Sequence, residues 1–261
     1  MRIVCDPHTH TLASRHAYST IVECVDAAQA RGLELLGSTD HFSRMIATSL
    51  DLRDFQHFQN FDVWPRQVGG VTVLHGAEVD IVDLEGNLFG HDVRVEHSIT
   101  GRPLEHPRTL KDLVFSHIDY AIASVHDRTF ANAASIAQTT AMYVGALLDP
   151  KVMALGHIGR SGLNFDLDEV LVCARDNHKL IEINEHSFKG NYGAVCHERC
   201  REVAVRAAEL GCPIMCGTDA HIAYDVGEFT STRRLLDEIA FPIELMASSS
   251  AEHLMSFLPK G

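Results

Sequence analysis

The sequence predicts an α/β fold, a parallel sheet closed into a TIM-like barrel, with one domain over 1–261. Three observations point there. Short apolar runs alternate with longer amphipathic ones in about seven strand-then-helix units. No Gly-rich phosphate fingerprint follows the first run, which disfavours an open dinucleotide-binding sheet. The length, 261 residues, suits one barrel, whose usual size is roughly 250.

Taken in order, Arg2–Pro7 (RIVCDP) reads as a strand and Thr20–Arg31 as a helix stopped by Gly32. Leu33–Asp40 is strand-like, and Asp51–Val68 predicts one helix or two. Val71–Val82 is a long strand. The polar stretch Glu85–Pro107 breaks the rhythm and predicts an irregular insertion near 85–117. Ile118–Val125 is a strand, followed by a helix near Ala131–Leu148. Val152–His157 is a strand, and Asp166–Asn177 a helix with Asp166 as its N-cap. Leu180–Asn184 and Pro213–Gly217 are strands separated by a helix from about Ala194 to Leu210. Thr230–Glu238 and Ala251–Phe257 close the chain as helices.

Composition narrows the function. A formal charge of −13 argues against a nucleic-acid footprint or an anionic membrane surface, both of which need a basic face. Seven cysteines fit no small disulfide framework and read as reduced and mostly buried. Met1 runs almost directly into an apolar strand, and no apolar stretch reaches the roughly 18 residues of a membrane span. The expectation is a cytoplasmic protein. Histidine is in excess, at 17, and it is the commonest metal ligand. Its positions therefore matter.

His8 and His10 follow the first strand, Asp40 and His41 end the second, and Glu78 lies late in the third. His126 and His157 end the next two, and Asp219 and His221 follow the last clear strand. In a barrel, C-terminal strand ends converge on one face, where active sites form. Residues two apart in extended chain share a side, so His8 can act with His10, and Asp219 with His221. So many donors exceed one tetrahedral zinc and suit two or three metals with shared carboxylates. Glu78 is the natural bridge.

At these residues the chain resembles the PHP (polymerase and histidinol phosphatase) family of metal-dependent phosphoesterases. The matching segments are PHTHT at Pro7–Thr11, STDH at Ser38–His41, GAE at Gly76–Glu78, SVH at Ser124–His126, GH at Gly156–His157 and GTDAH at Gly217–His221. IEINEHSF, from Ile181, looks closest to the small YcdX-like branch. The resemblance implies a distorted (β/α)7 barrel and three divalent metal ions per chain, zinc first, with manganese or iron as alternatives. It implies one ion on His8, His10, Glu78 and Asp219, a second on Glu78, His126 and His157, and a third on His16, His41 and His221. His16 enters only through the resemblance, on a loop, Thr11–Arg15, that folds back over the site. Two departures touch the rim and so bear on the substrate. The stretch between Glu78 and His126 is longer than in small relatives, and Ile-Gly-Arg follows His157 where relatives often have proline.

The expected chemistry is hydrolysis of a small phosphomonoester by a metal-bridging hydroxide, with no covalent phosphoenzyme. Asp6 and Asp40 are expected to orient ligating histidines. Arg15, Arg44, Arg128 and Arg160 each lie near a candidate ligand and are expected to bind substrate phosphate, with His186 as a further reach into the site. His75 reads as core or a cap, and Cys196 with Cys200 as helix packing. Two readings stand as alternatives. An amidohydrolase-type barrel also uses His-x-His after its first strand, but bridges its metals with a strand-end lysine, and no lysine ends a strand before His157. A non-catalytic, metal-bound regulatory module would show a degenerate site. A nucleic-acid end is disfavoured as substrate by the acidic charge.

Overall fold

The structure is a computed structural model and describes residues 1–47, 49–189 and 192–260. Its elements are β1 (Cys5–Thr9), α1 (Ile21–Ala30), β2 (Leu35–Ser38), β3 (His41–Phe42), β4 (Gln67–Val68), β5 (Val71–Asp80), β6 (Arg94–His97), β7 (Pro103–Thr109), α2 (Leu110–Phe115), β8 (Tyr120–Ser124), α3 (Ile136–Leu147), β9 (Val152–Leu155), α4 (Leu167–Asp176), β10 (Leu180–Asn184), α5 (Gly193–Leu210), β11 (Ile214–Gly217), α6 (Thr230–Glu238) and α7 (Ala251–Met255).

Seven strands run parallel in the order β1-β2-β5-β8-β9-β10-β11. They read as continuous apolar or buried runs because helices cover the sheet's outer face. Between the two outer strands the ring closes just past their ends. Thr9 bridges Ala220 in parallel register, Asp219 N donates to His8 O at 2.8 Å, and His10 N donates to Ala220 O at 2.8 Å. The barrel is therefore seamed by the two segments that carry His8, His10 and Asp219. The distortion lies at β5. Its first half pairs with β2, from Leu35 opposite Thr72 to Ser38 opposite His75. Its second half pairs with β8, and His41 of β3 sits in register with Glu78.

Local chemistry sets the helix ends. Thr20 and Ser135 form capping boxes with Glu23 and Gln138 at the starts of α1 and α3. Asp166 caps α4, accepting from Glu169 N. The one or two helices expected over Asp51–Val68 form as a kinked run over Leu52–Val63, of 3-10 rather than α type, followed by β4. The reason is spacing: its buried residues Leu52, Phe55, Phe58 and Phe61 recur every third position, the period of a 3-10 helix. Phe42 packs edge-on against Phe55, Phe58 and Phe89 and holds the run under β3. The stretch 85–117 contains the hairpin β6-β7 and α2, a short helix the sequence pattern did not resolve. All seven cysteines are free thiols, six of them buried and Cys173 half-buried.

One buried contact ties the barrel interior together. The Tyr120 hydroxyl, fully buried, donates to Pro7 O at 2.6 Å, one residue before His8. The ring passes beside Gly37 and Gly76, where a Cβ would collide with it. A methyl at Gly37 would also stand 2.8 Å from Pro7 O. Gly37→Ala is expected to cost about 1–3 kcal/mol through this overpacking, read as a lower midpoint in chemical denaturation of the metal-free protein. A variant with unchanged stability would show that Tyr120 can move without cost.

Candidate metal centre

Each strand end delivers its side chain to one floor. His8 and His10 leave β1 fully buried, with Thr9 turned the other way to donate to Gly37 O. Glu78, on β5, is also fully buried. Its Oε2 lies 3.5 Å from His8 Nε2, 3.5 Å from His10 Nε2 and 2.9 Å from His41 Nδ1. Its Oε1 lies 2.8 Å from His157 Nε2 and 3.4 Å from His126 Nε2. Asp219 Oδ1 lies 3.2 Å from His10 Nε2 and 3.8 Å from His8 Nε2. The 3-10 turn Leu12–Ser14, capped by Thr11, ends at a left-handed Arg15 and turns the chain back. His16 thereby meets His221, with their Nε2 atoms 3.0 Å apart. These donors form three groups whose ligand atoms lie within 4.8 Å of one another: His8, His10, Glu78 and Asp219; His41, Glu78 and His126; and His10, His41 and His221.

The backbone is strained at two of these positions. His157 has φ 32° and Asp219 φ 56°, the left-handed region that non-glycine residues seldom occupy. Such strain persists only where the surroundings over-determine it.

Above the floor is a cavity of about 360 Å³. His16, His41, His126, Asp219 and His221 line its base, and Arg160, His186, Tyr192 and Met45 its walls.

A family model described as PHP domain matches residues 6–186. The chain belongs to the PHP domain family. Over 260 residues it is 34% identical to a protein of Acetivibrio thermocellus named a probable phosphatase, covering 100% of this chain and 97% of that one. It is also 34% identical over 258 residues to an Aliivibrio fischeri protein of the same description, covering 99% and 94%. Among solved structures it resembles the histidinol phosphate phosphatase of Lactococcus lactis in complex with zinc, L-histidinol and phosphate. That match has a TM-score of 0.58, 20% identity, and coverage of 91% and 94%. The PHP fold is thus shared at both levels.

The residues of this PHP domain fit divalent ions. His8 Nε2, His10 Nε2, both ring nitrogens of His41 and Glu78 Oε2 are buried without a hydrogen-bond partner, an arrangement proteins avoid unless something else binds there. The donor set is imidazole and carboxylate, which zinc, manganese and iron all accept. Electrostatics agree. Burial pushes the carboxyls of Glu78 and Asp219 up, but the surrounding histidines, and for Asp219 also Arg160, hold both well below the usual range. Burial lowers His10 to about 3, assisted by His41, so its ring is neutral with a lone pair free. Burial and the Arg160 charge likewise lower His157. Burial would lower His126 too, but Glu78 and Asp80 outweigh it and raise the ring to about 10. Burial would lower His8 as well, but Glu182, Glu78 and Asp219 outweigh it and hold the ring well above its usual range. These raised rings report an excess of buried acid, the environment a divalent cation relieves.

The other residues singled out in the sequence distribute differently. Asp40 reaches a ring through an intermediary: Ser14 Oγ donates to Asp40 at 2.6 Å and lies 3.1 Å from His10 Nδ1. Asp6 hydrogen-bonds to no histidine; it accepts from Thr218 N and Oγ1 and from Gly227 N, tying β1 to the loop after β11. Of the four arginines, Arg160 lines the cavity, held by Asp219 Oδ2 at 2.8 Å, with its Nη1 buried and unpartnered. Arg15 is exposed and pairs with Asp54 at 2.9 Å. Arg44 faces a neighbouring cavity with Asp80 and Asp127, and Arg128 reaches Gly162 O at 3.4 Å. Closeness to ligands along the chain therefore does not bring these three into the cavity over the centre. His186 does line the cavity, its ring 6.3 Å from that of His221. His75 is core, packed on Phe61 and Trp64.

Sequence reasoning missed Asp80 and Glu182. Asp80 Oδ1 lies 2.7 Å from His126 Nδ1, and its other oxygen accepts from Ser43. The signal was present: Asp80 is two residues after Glu78 and shares its side of the strand. Glu182 lies 2.7 Å from His8 Nδ1. A carboxylate inside the apolar run LIEIN, where a charge needs a partner, was its signal.

Proposed function

We propose that this PHP protein is a phosphatase that hydrolyses small phosphomonoesters, using three divalent ions held on the nine donors His8, His10, His16, His41, Glu78, His126, His157, Asp219 and His221. The coarser part rests on kinship: the chain is a metal-dependent hydrolase of phosphoesters, as its family and its probable-phosphatase relatives indicate. The observation that carries the finer reading is the cluster of buried, unpartnered ring nitrogens around Glu78, which belongs to two of three overlapping donor groups. His157 and His16 stand outside those groups by distance, yet His157 Nε2 touches Glu78 Oε1 and His16 Nε2 lies 3.0 Å from His221 Nε2, in keeping with the sets that the family resemblance implies.

When bound, such ions bring the pKa of water near neutrality and neutralise charge on phosphoryl oxygens. The chain's own residues do the rest. Glu78 and Asp219, ionised and buried, anchor the centre. Arg160 is fixed on one side by Asp219 and above by the Tyr192 ring, 5.2 Å from its guanidinium carbon, and its unpartnered Nη1 is the donor it would offer a phosphate oxygen. No serine or cysteine lines the cavity among the described residues, which supports direct attack by water over a phosphoenzyme. No lysine lines it either, and Glu78 would take the bridging place, which disfavours amidohydrolase chemistry. All nine positions keep a donor, which disfavours a non-catalytic module. The cavity suits an ester of the size of histidinol phosphate.

The direct test is a panel of phosphomonoesters, including p-nitrophenyl phosphate, beside amides and lactones, before and after chelation. Phosphoester turnover that disappears with chelator and returns with zinc or manganese is expected. Faster turnover of amides or lactones would contradict the assignment. For Arg160→Ala, KM for phosphoesters is expected to rise on the order of tenfold, the loss of one charge-assisted hydrogen bond, with metal content unchanged by elemental analysis. Unaltered KM would remove Arg160 from contact with phosphate.

A further inference from the structure

We propose that Glu182 is a positioning residue that couples two ligands of the centre, setting the ring tautomer of His8 with one oxygen and the backbone of His157 with the other. This rests on the metal reading above for its consequence, though not for its geometry. Glu182 lies on β10, a strand that sends none of the nine donors to the floor. Its side chain has no solvent access. Oε1 lies 2.7 Å from His8 Nδ1, and Oε2 accepts from His157 N at 2.8 Å.

Each contact has a specific effect. An ionised carboxylate only accepts, so His8 Nδ1 must carry the proton. Nε2, the atom 3.5 Å from Glu78 Oε2 and 3.8 Å from Asp219 Oδ1, is then the nitrogen left to face a metal. At His157 the carboxylate holds an N–H in a backbone turn with φ 32° and ψ 42°. That left-handed turn follows β9 directly and delivers the ring to Glu78. One carboxylate thus links ligands that follow two non-adjacent strands, β1 and β9. The space for it is built in. A Cβ at Gly217 would collide with Glu182 Oε1, and one at Gly156 would stand 3.5 Å from Oε2. Glycine at position 217 therefore leaves the room that Glu182 Oε1 occupies.

The amide of Glu182→Gln makes the test sharp, since it has one accepting and one donating end. If its oxygen keeps His8, its NH2 faces the His157 N–H, two donors in opposition. If its oxygen keeps His157, its NH2 faces His8 Nδ1, and the ring proton moves to Nε2. Either way one ligand is lost to its task. Glu185, also buried, serves as control: it accepts from Ser231 N and Thr232 N at the start of α6 and touches no ligand of the centre. A stability loss unrelated to the site is what Glu185→Gln reports.

The experiment uses the full chain with 15N-labelled histidine, reading the His8 ring nitrogens by long-range proton–nitrogen spectra, assigned by the signal missing in His8→Gln. Zinc and manganese affinities are measured by competition with a chelator. The wild type is expected to show His8 protonated at Nδ1 before metal is added. Glu182→Gln is expected to shift that tautomer or to weaken metal binding by about 10–100-fold, or both, while Glu185→Gln leaves both readouts at wild-type values. Glu182→Asp, one methylene too short to reach both partners, is the second variant if the amide does not fold, with the same loss of affinity expected. Wild-type tautomer and wild-type affinity in the folded variant would overturn the role of Glu182. A wild-type chain that takes up neither metal would instead defeat the metal reading, and the His8 tautomer would still decide what Glu182 does.

Discussion

The structure depends on one buried carboxylate. Glu78 has no solvent exposure, yet five histidine nitrogens lie within 3.5 Å of its two oxygens. A charge in such a place is stable only if it is paired. Rings on strands β1, β3, β8 and β9 must therefore reach it together, which requires that those strands end at one level. The long strand β5 makes this possible by changing partners midway, from β2 to β3 and β8, so that Glu78 faces His41 in register. The seam between Thr9 and Ala220 then brings Asp219 alongside His8 and His10. Fold and site answer the same constraint.

Charge gives a second view of the same point. The chain is strongly acidic overall, at −13, and its centre adds buried acids rather than offsetting them. Arg160 is the one arginine among the four considered that reaches the cavity, and it is already committed to Asp219 on one side. Binding a phosphate dianion there without further positive charge would be repulsive. The unpartnered nitrogens around Glu78 mark where that charge belongs.

Much of this was legible in the sequence, and the physical reason is periodicity. A parallel barrel repeats strand, loop and helix, so donors at the end of each apolar run signalled a common floor. Capping residues marked the helix starts, as with Asp166 before α4. What escaped lay where another period or a tertiary contact ruled. The Leu52–Val63 run repeats every third residue and so folds as 3-10 rather than α. Arg15, Arg44 and Arg128 neighbour ligands along the chain, but their side chains find other partners. The way the donors divide into three groups was not legible either, because His10, His41 and Glu78 each belong to two of them and only coordinates show which atoms approach. His16 became visible only by resemblance, since a left-handed turn at Arg15 carries it back to His221.

The most direct measurement of the central claim is anomalous diffraction from crystals of the protein loaded with zinc or manganese, collected on both sides of the metal edge. The account predicts three peaks clustered around Glu78, with ligand distances of roughly 2.0–2.3 Å to the His and carboxylate donors. Peaks confined to the surface, or none within reach of Glu78 at full metal loading, would contradict it.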